Sequence, residues 1–114
     1  MAETIFGKIA RGEIKANVVY EDELCIAFHD ISAQAPVHVL LIPKEPIESV
    51  NDIQPQHAAL FGHLWTVIPK LAAQLGIAES GYRVVVNCGS HGGQSVHHLH
   101  YHILGGRPLA WPPG

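Results

Sequence analysis

The chain has 114 residues, 47% of them hydrophobic, with a formal net charge of −3 and nine histidines. Such a length is one domain, residues 1–114, able to bury roughly 65% of its unfolded surface. The seven Lys and Arg, scattered from Lys8 to Arg107, form no basic stripe that could follow a nucleic-acid backbone, and no run of about 18 apolar residues could cross a membrane.

Glu3, Lys8, Arg11, Glu13 and Lys15 interrupt the first twenty positions, so no signal peptide is expected and the expected compartment is the cytoplasm. Thr4 is an N-cap candidate, Ile5, Phe6 and Ile9 share a helical face and Gly12 can end the turn, which predicts a short N-terminal helix. Two β-rich runs follow at 17–20 and 24–29, separated by Glu21-Asp22-Glu23 as in a hairpin. After a loop with Pro36, residues 38–42 predict a third strand bounded by Pro43. Ala58, Phe61, Leu64, Trp65, Ile68, Leu71, Ala72 and Leu75 then repeat at helical spacing up to Gly76. Pro69 inside that run costs about 3 kcal/mol in an ordinary helix interior, so a kink or a break is expected there. Residues 82–86 and 96–104 supply a fourth and a fifth strand. The sum is an α+β fold, an antiparallel five-stranded sheet with one long helix and a short N-terminal helix. Cys25 and Cys88 form no C-x-x-C, and both read as small buried hydrophobes in a reducing compartment.

The fifth strand carries the chemistry. His98-Leu99-His100-Tyr101-His102 alternates imidazole with apolar side chains and would place three histidines on one face of one strand. Side chains at i and i+2 lie ~6.7 Å apart on a strand and those at i and i+4 ~13 Å, whereas zinc holds its nitrogens at ~2.0–2.1 Å. Two rings could share an ion with a ligand from elsewhere; a row better suits an elongated substrate. A metal site, a row of acid, base and nucleophile groups, and a wet strand face all remain open on this segment alone. Asn87-Cys88-Gly89-Ser90-His91-Gly92-Gly93-Gln94-Ser95 precedes it, and its three glycines let successive backbone N–H groups turn toward an anion. A phosphate held against imidazoles is the joint expectation. Elsewhere, His38 alone reads as a strand histidine satisfied by a neighbour, His57 and His63 as surface or edge residues, and His29 has no assigned part.

Residues 92–107, Gly-Gly-Gln-Ser-Val-His-His-Leu-His-Tyr-His-Ile-Leu-Gly-Gly-Arg, resemble the signature of the histidine-triad nucleotide-binding family, His-φ-His-φ-His-φ-φ with φ apolar. Trp111-Pro112-Pro113-Gly114 resembles the end of its Hint branch, and Thr4-Ile5-Phe6-Gly7-Lys8-Ile9, Ala27-Phe28-His29-Asp30-Ile31 and residues 35–44 match too, so the likeness spans nearly the whole chain. It implies the same α+β plan, joined into a homodimer. It also implies His100 as a nucleophile on the α-phosphate of a nucleotide, with His98 and His102 flanking it and His38 completing a proton relay. Asn87, Gly93 and Ser95 would hold phosphate together with His100 and His102, and Asp30 would take the ribose. Ile5, Phe6, Ile9, Phe28 and Ile31 would form the base slot, and Trp111 would approach the partner's site and the leaving group. His97 and His91 replace a tyrosine and an acidic residue common among relatives, which bears on the leaving group; a zinc-binding cysteine pair of some relatives is absent.

The implied activity is hydrolysis of purine nucleoside phosphoramidates, of the adenosine 5′-phosphoramidate type, through a covalent nucleotidyl-histidine and with neither metal nor cofactor. Dinucleoside polyphosphate hydrolysis, a nucleotide-binding regulatory role and a zinc protein using His98, His100 and His38 are the alternatives.

Overall fold

The computed structural model describes residues 3–114. Thr4 caps α1 (Ile5–Ala10), its hydroxyl accepting the Gly7 N–H at 3.0 Å, and Gly12 takes φ +77 just beyond, a left-handed conformation that a side chain would strain. The strands are β1 (Val18–Glu21), β2 (Cys25–His29), β3 (Val37–Pro43), β4 (Tyr82–Val86) and β5 (Tyr101–Gly105). They form one antiparallel sheet in the order β1-β2-β3-β5-β4, the expected α+β plan.

Period-2 alternation divides the core between the two faces of this sheet. Cys25 and Ala27 of β2, Val39 and Leu41 of β3, and Tyr101 and Ile103 of β5 pack with Phe61, Leu64, Val67, Ile68, Leu71 and Ala72 of α2 (Ala58–Gln74). Ile26, Phe28, Leu40 and Ile42 face the other way, against Phe6, Ile9 and Ala10 of α1. The central strand β3 is covered on both sides, which is why its residues from His38 to Pro43 are all buried. Cys25 lies in this core, and its thiol is pushed up to about 12 by burial and by Asp22 beside it, so it behaves as an inert apolar group.

The expected break at Pro69 does not occur: α2 runs unbroken from Ala58 to Gln74. Proline removes the bond to the carbonyl four residues earlier, at Trp65, which stands on the exposed side of the helix while the opposite side buries six apolar residues. Their burial outweighs the missing bond. His57 and His63 prove half-buried rather than free surface groups; His57 Nε2 lies 2.9 Å from Glu45 and His63 Nε2 2.6 Å from Asp22.

The larger correction concerns the last strand. Pairing of β3 with β5 runs only from Val37 opposite Gly105 to Leu41 opposite Tyr101, so residues 94–100 belong to no strand. A four-residue helical turn, α3 (Gly89–Gly92), and Gly93 at φ +84 redirect the chain before it, and the Leu99 N–H is taken by the Ile47 carbonyl at 2.7 Å. The three histidines therefore do not share one strand face. His98 and His100 sit in an extended lead-in, and only His102 lies in β5.

Beyond β5 the chain is held close to the turn after α2. A methyl group at Gly105 would lie 2.9 Å from Ile77 Cδ1 and 3.1 Å from Ile77 Cβ and Cγ2. Gly105→Ala is therefore expected to lower stability by about 1–3 kcal/mol, read from the urea midpoint. Combined with Ile77→Ala, it should cost less than the sum of the two single changes; strict additivity would show that the clash is not the cause.

Candidate active site

Register places the first two functional rings. His102 of β5 lies opposite Leu40 and His38 of β3 opposite Leu104, so the two histidines are diagonal neighbours on the face that also carries α1. His38 Nε2 and His102 Nδ1 are 2.9 Å apart. Which nitrogen carries the proton follows from the next link, because the Gln34 N–H donates to His38 Nδ1 at 3.0 Å. In neutral His38 the hydrogen then sits on Nε2 and is donated to His102 Nδ1, leaving His102 with its own N–H on Nε2. Asp30 ties the loop below: its N–H reaches the His38 carbonyl at 2.9 Å, its Oδ1 accepts from Ser32 N–H at 2.8 Å, and its Oδ2 stands 3.4 Å from His38 Nε2.

The lead-in segment fixes the other two rings through peptide oxygens. His98 Nε2 donates to the Pro43 carbonyl at the end of β3, at 2.8 Å, and His100 Nδ1 donates to the His98 carbonyl at 2.7 Å. His100 Nε2 is thereby left as a lone pair, held edge-on to Phe6 at 5.0 Å between ring centroids. His98 is 1% exposed, His100 4% and His38 5%. Burial is the main cause that lowers the proton affinity of His38, His98 and His100, against the opposing pull of Asp30 on His38 and His100 and of the Pro43 carbonyl on His98. Burial together with the neighbouring His100 and His38 pushes His102 down to about 4. At neutral pH the array is four uncharged rings with assigned tautomers.

These rings open on a cleft of about 340 Å³ between α1, the β2–β3 loop and the lead-in segment. Nine of the residues expected at the site line it: Ile5, Phe6, Ile9, Phe28, Asp30, Ile31, Ser95, His100 and His102. His38 stands behind His102 and His98 behind His100, holding those rings and not lining the cleft. Asn87 and Gly93 lie on the turn before the lead-in and are not among the lining residues, and Trp111 is 78% exposed with its ring 5.7 Å from the Arg83 guanidinium. Sequence reasoning missed the wall made by Ile14, Lys15, Ala16 and Asn17, a segment without periodicity. It also missed Gln94, whose Oε1 accepts from Gly89 N–H at 3.0 Å while its Nε2 donates to the Glu48 and Val96 carbonyls at 2.7 and 3.1 Å. The only signal was a lone amide in a glycine-rich stretch.

The zinc set His98, His100 and His38 is not assembled, since the His98 ring is turned to Pro43. Among the described residues, the ligand atoms that do gather within 4.8 Å of one another are those of Asp30, His38 and His102, and of Asp22, Cys25 and His63. In the second group both Asp22 oxygens already accept hydrogen bonds, Oδ2 from Tyr20 and Oδ1 from the Leu24 and Cys25 amides. The first is the proton-sharing pair described above, with a carboxylate beside it.

A family model described as the HIT domain matches residues 11–109. The chain belongs to the HIT family. It is 58% identical over 112 residues to an uncharacterized HIT-like protein of Synechococcus elongatus, covering 98% of this chain and 97% of that one. It is 54% identical over 107 residues to a purine nucleoside phosphoramidase of Escherichia coli K12, covering 94% of this HIT protein and 90% of the relative. Among solved structures, a HIT family hydrolase from Legionella pneumophila matches with a TM-score of 0.96 at 48% identity, over 98% of this chain and 100% of the other. A histidine triad protein from Clostridium difficile matches with a TM-score of 0.92 at 46% identity, over 96% and 97%. The fold resemblance read from residues 92–107 thus extends across nearly every described residue.

Proposed function

We propose that this HIT protein hydrolyses purine nucleoside phosphoramidates through a nucleotide covalently held on His100. One observation carries the reading: the His100 Nδ1–H is committed to the His98 carbonyl at 2.7 Å, which leaves Nε2 as an unprotonated nucleophile facing the cleft. The 54% identity to a purine nucleoside phosphoramidase supports the substrate class.

In the first half-reaction the Nε2 lone pair attacks the α-phosphorus and the P–N bond breaks. The anionic phosphoryl group raises the proton affinity of the His38–His102 pair, which takes up one proton on binding; that proton goes to the departing nitrogen, which leaves as a neutral amine. In the second half-reaction water attacks phosphorus, its hydroxyl stays on the nucleotide, its other proton returns to the pair, and the His100 lone pair is released. The net change is phosphoramidate plus water giving nucleoside monophosphate plus amine. Ser95 and the backbone around Gly93 and Asn87 serve the phosphate in this reading, and Asp30 serves the ribose. Ile5, Phe6, Ile9, Phe28 and Ile31 form a slot with few polar groups for the base, so adenosine and guanosine are both taken.

The same reading makes the protein a cytoplasmic homodimer. The half-exposed Trp65 on α2 and the exposed Trp111 supply apolar surface for a second copy, the latter near the partner's leaving group. No helix among the described residues is long and apolar enough to cross a membrane.

The test is direct. Mixing the protein with adenosine 5′-phosphoramidate, quenching early and digesting should give AMP attached to the peptide containing His100. An adduct on another residue, or turnover with none accumulating or trapped at any time point, overturns the covalent route.

A further inference from the structure

The motif Gly105-Gly106-Arg107 has no part in the chemistry above, yet its guanidinium reaches the relay from outside. Arg107 Nη2 donates to the Gln34 carbonyl at 2.8 Å, and Nη1 donates to its own neighbour, the Pro108 carbonyl, at 3.0 Å. Arg107 makes no ion pair among the described residues. Gln34 is the residue whose N–H holds His38 Nδ1.

We infer that Arg107 is a positioning residue for the proton relay, acting through the Gln34 peptide to fix which nitrogen of His38, and hence of His102, carries hydrogen. The inference deepens the phosphoramidase reading and rests on it for its catalytic consequence.

Four linked observations support it. Residues 31–34 are all exposed, so no apolar packing fixes the Gln34 peptide, and hydrogen bonds must do so. Besides Arg107, the loop is held by the Asp30 bond to Ser32 N–H and by the Gln34 side chain, whose Nε2 reaches the Ser32 carbonyl at 3.0 Å; neither grips the Gln34 peptide from across the fold. Gly106 at φ +91 brings the post-β5 chain so close that a Cβ there would lie 2.8 Å from Pro36 Cβ and 3.5 Å from Val37 N. That approach is what lets a guanidinium from residue 107 bridge to residue 34. Finally, the two His38 tautomers differ only in whether Nδ1 accepts or donates. Withdrawing a single N–H donor therefore releases the constraint and lets Nδ1–H His38 form, in which Nε2 no longer donates to His102.

The experiment reads proton positions without substrate. In protein carrying ¹⁵N-histidine, long-range ¹H–¹⁵N correlation spectra should show wild-type His38 and His102 as single Nε2–H tautomers at neutral pH. Arg107→Ala, a surface change, should give both tautomers at His38 and His102 while the sheet amides stay in place. Its kcat should fall about tenfold with KM changed less than about twofold, the mark of a defect in a step after binding. Arg107→Lys, which can still reach a carbonyl, should restore most of both readouts, and Gly106→Ala should reproduce the alanine phenotype wherever it folds. Unchanged tautomers in folded Arg107→Ala overturn the inference whatever happens to turnover, as does a lysine variant that behaves like alanine. Mixed tautomers in a protein whose wild type forms no His100 adduct would leave the Arg107 coupling standing and remove the phosphoramidase reading instead.

Discussion

Replacing His100 by Asn should lower steady-state turnover of adenosine 5′-phosphoramidate by on the order of 10⁴-fold or more, with no adduct, while the protein stays folded. Asparagine is the informative choice because its amide can still donate to the buried His98 carbonyl that His100 Nδ1 now occupies at 2.7 Å. No polar group is left unmet, and the structural loss is confined to the edge contact with Phe6, worth about 1 kcal/mol. What disappears is a nitrogen lone pair near phosphorus, which the amide does not offer. Binding of AMP should survive within a few-fold, since the cleft walls remain. Wild-type turnover in this variant would exclude His100 as nucleophile; lost binding with an intact fold would instead make it a ligand-holding group.

Acid should unfold the protein earlier than its carboxylates alone would require. His38, His98, His100 and His102 all bind protons more weakly in the fold than their ordinary value of 6.5, mainly because burial disfavours the imidazolium, and for His102 the value reaches about 4. The unfolded chain therefore binds more protons than the folded one below pH 6.5, and stability rises with pH through that window. Above it both states are neutral at these rings and the slope vanishes. The expected loss between about pH 7 and about pH 4.5 is on the order of 3 kcal/mol, visible as a falling urea midpoint with unchanged steepness. A midpoint flat across that interval would mean that the rings are solvated or already charged in the fold. Bound AMP should oppose the effect, because its phosphate favours the charged pair.

The sequence carried most of the framework because its signals are local. The Thr4 cap, the Gly12 stop, the turn at Glu21-Asp22-Glu23 and the apolar stripe of α2 each need only neighbouring residues, and β4 begins and ends at the expected positions. The histidine segment misled for a physical reason. Alternation of side chains describes any extended backbone, while membership of a strand depends on whether a partner's N–H and C=O groups remain free. Here β3 has ended, and its last carbonyl, at Pro43, is taken by a ring instead of a peptide. Pro69 shows the converse, a local penalty overruled by burial that only the assembled sheet creates. Within the site, the side chains that line the cleft could be named from the family signature. Gln34, Gln94 and Arg107 could not, since they act by gripping backbone atoms 4 to 73 positions away.

Three of the four rings take their protonation pattern from peptide atoms: the carbonyls of Pro43 and His98 and the amide of Gln34. Main-chain groups are common to every residue type, so drift among the side chains at Ile14, Asn17 or Ile31 can reshape what the cleft admits without rewriting where its hydrogens sit. Substrate range and acid–base readiness are in that sense separately inherited, and a redesign of the binding walls starts from an array that is already armed.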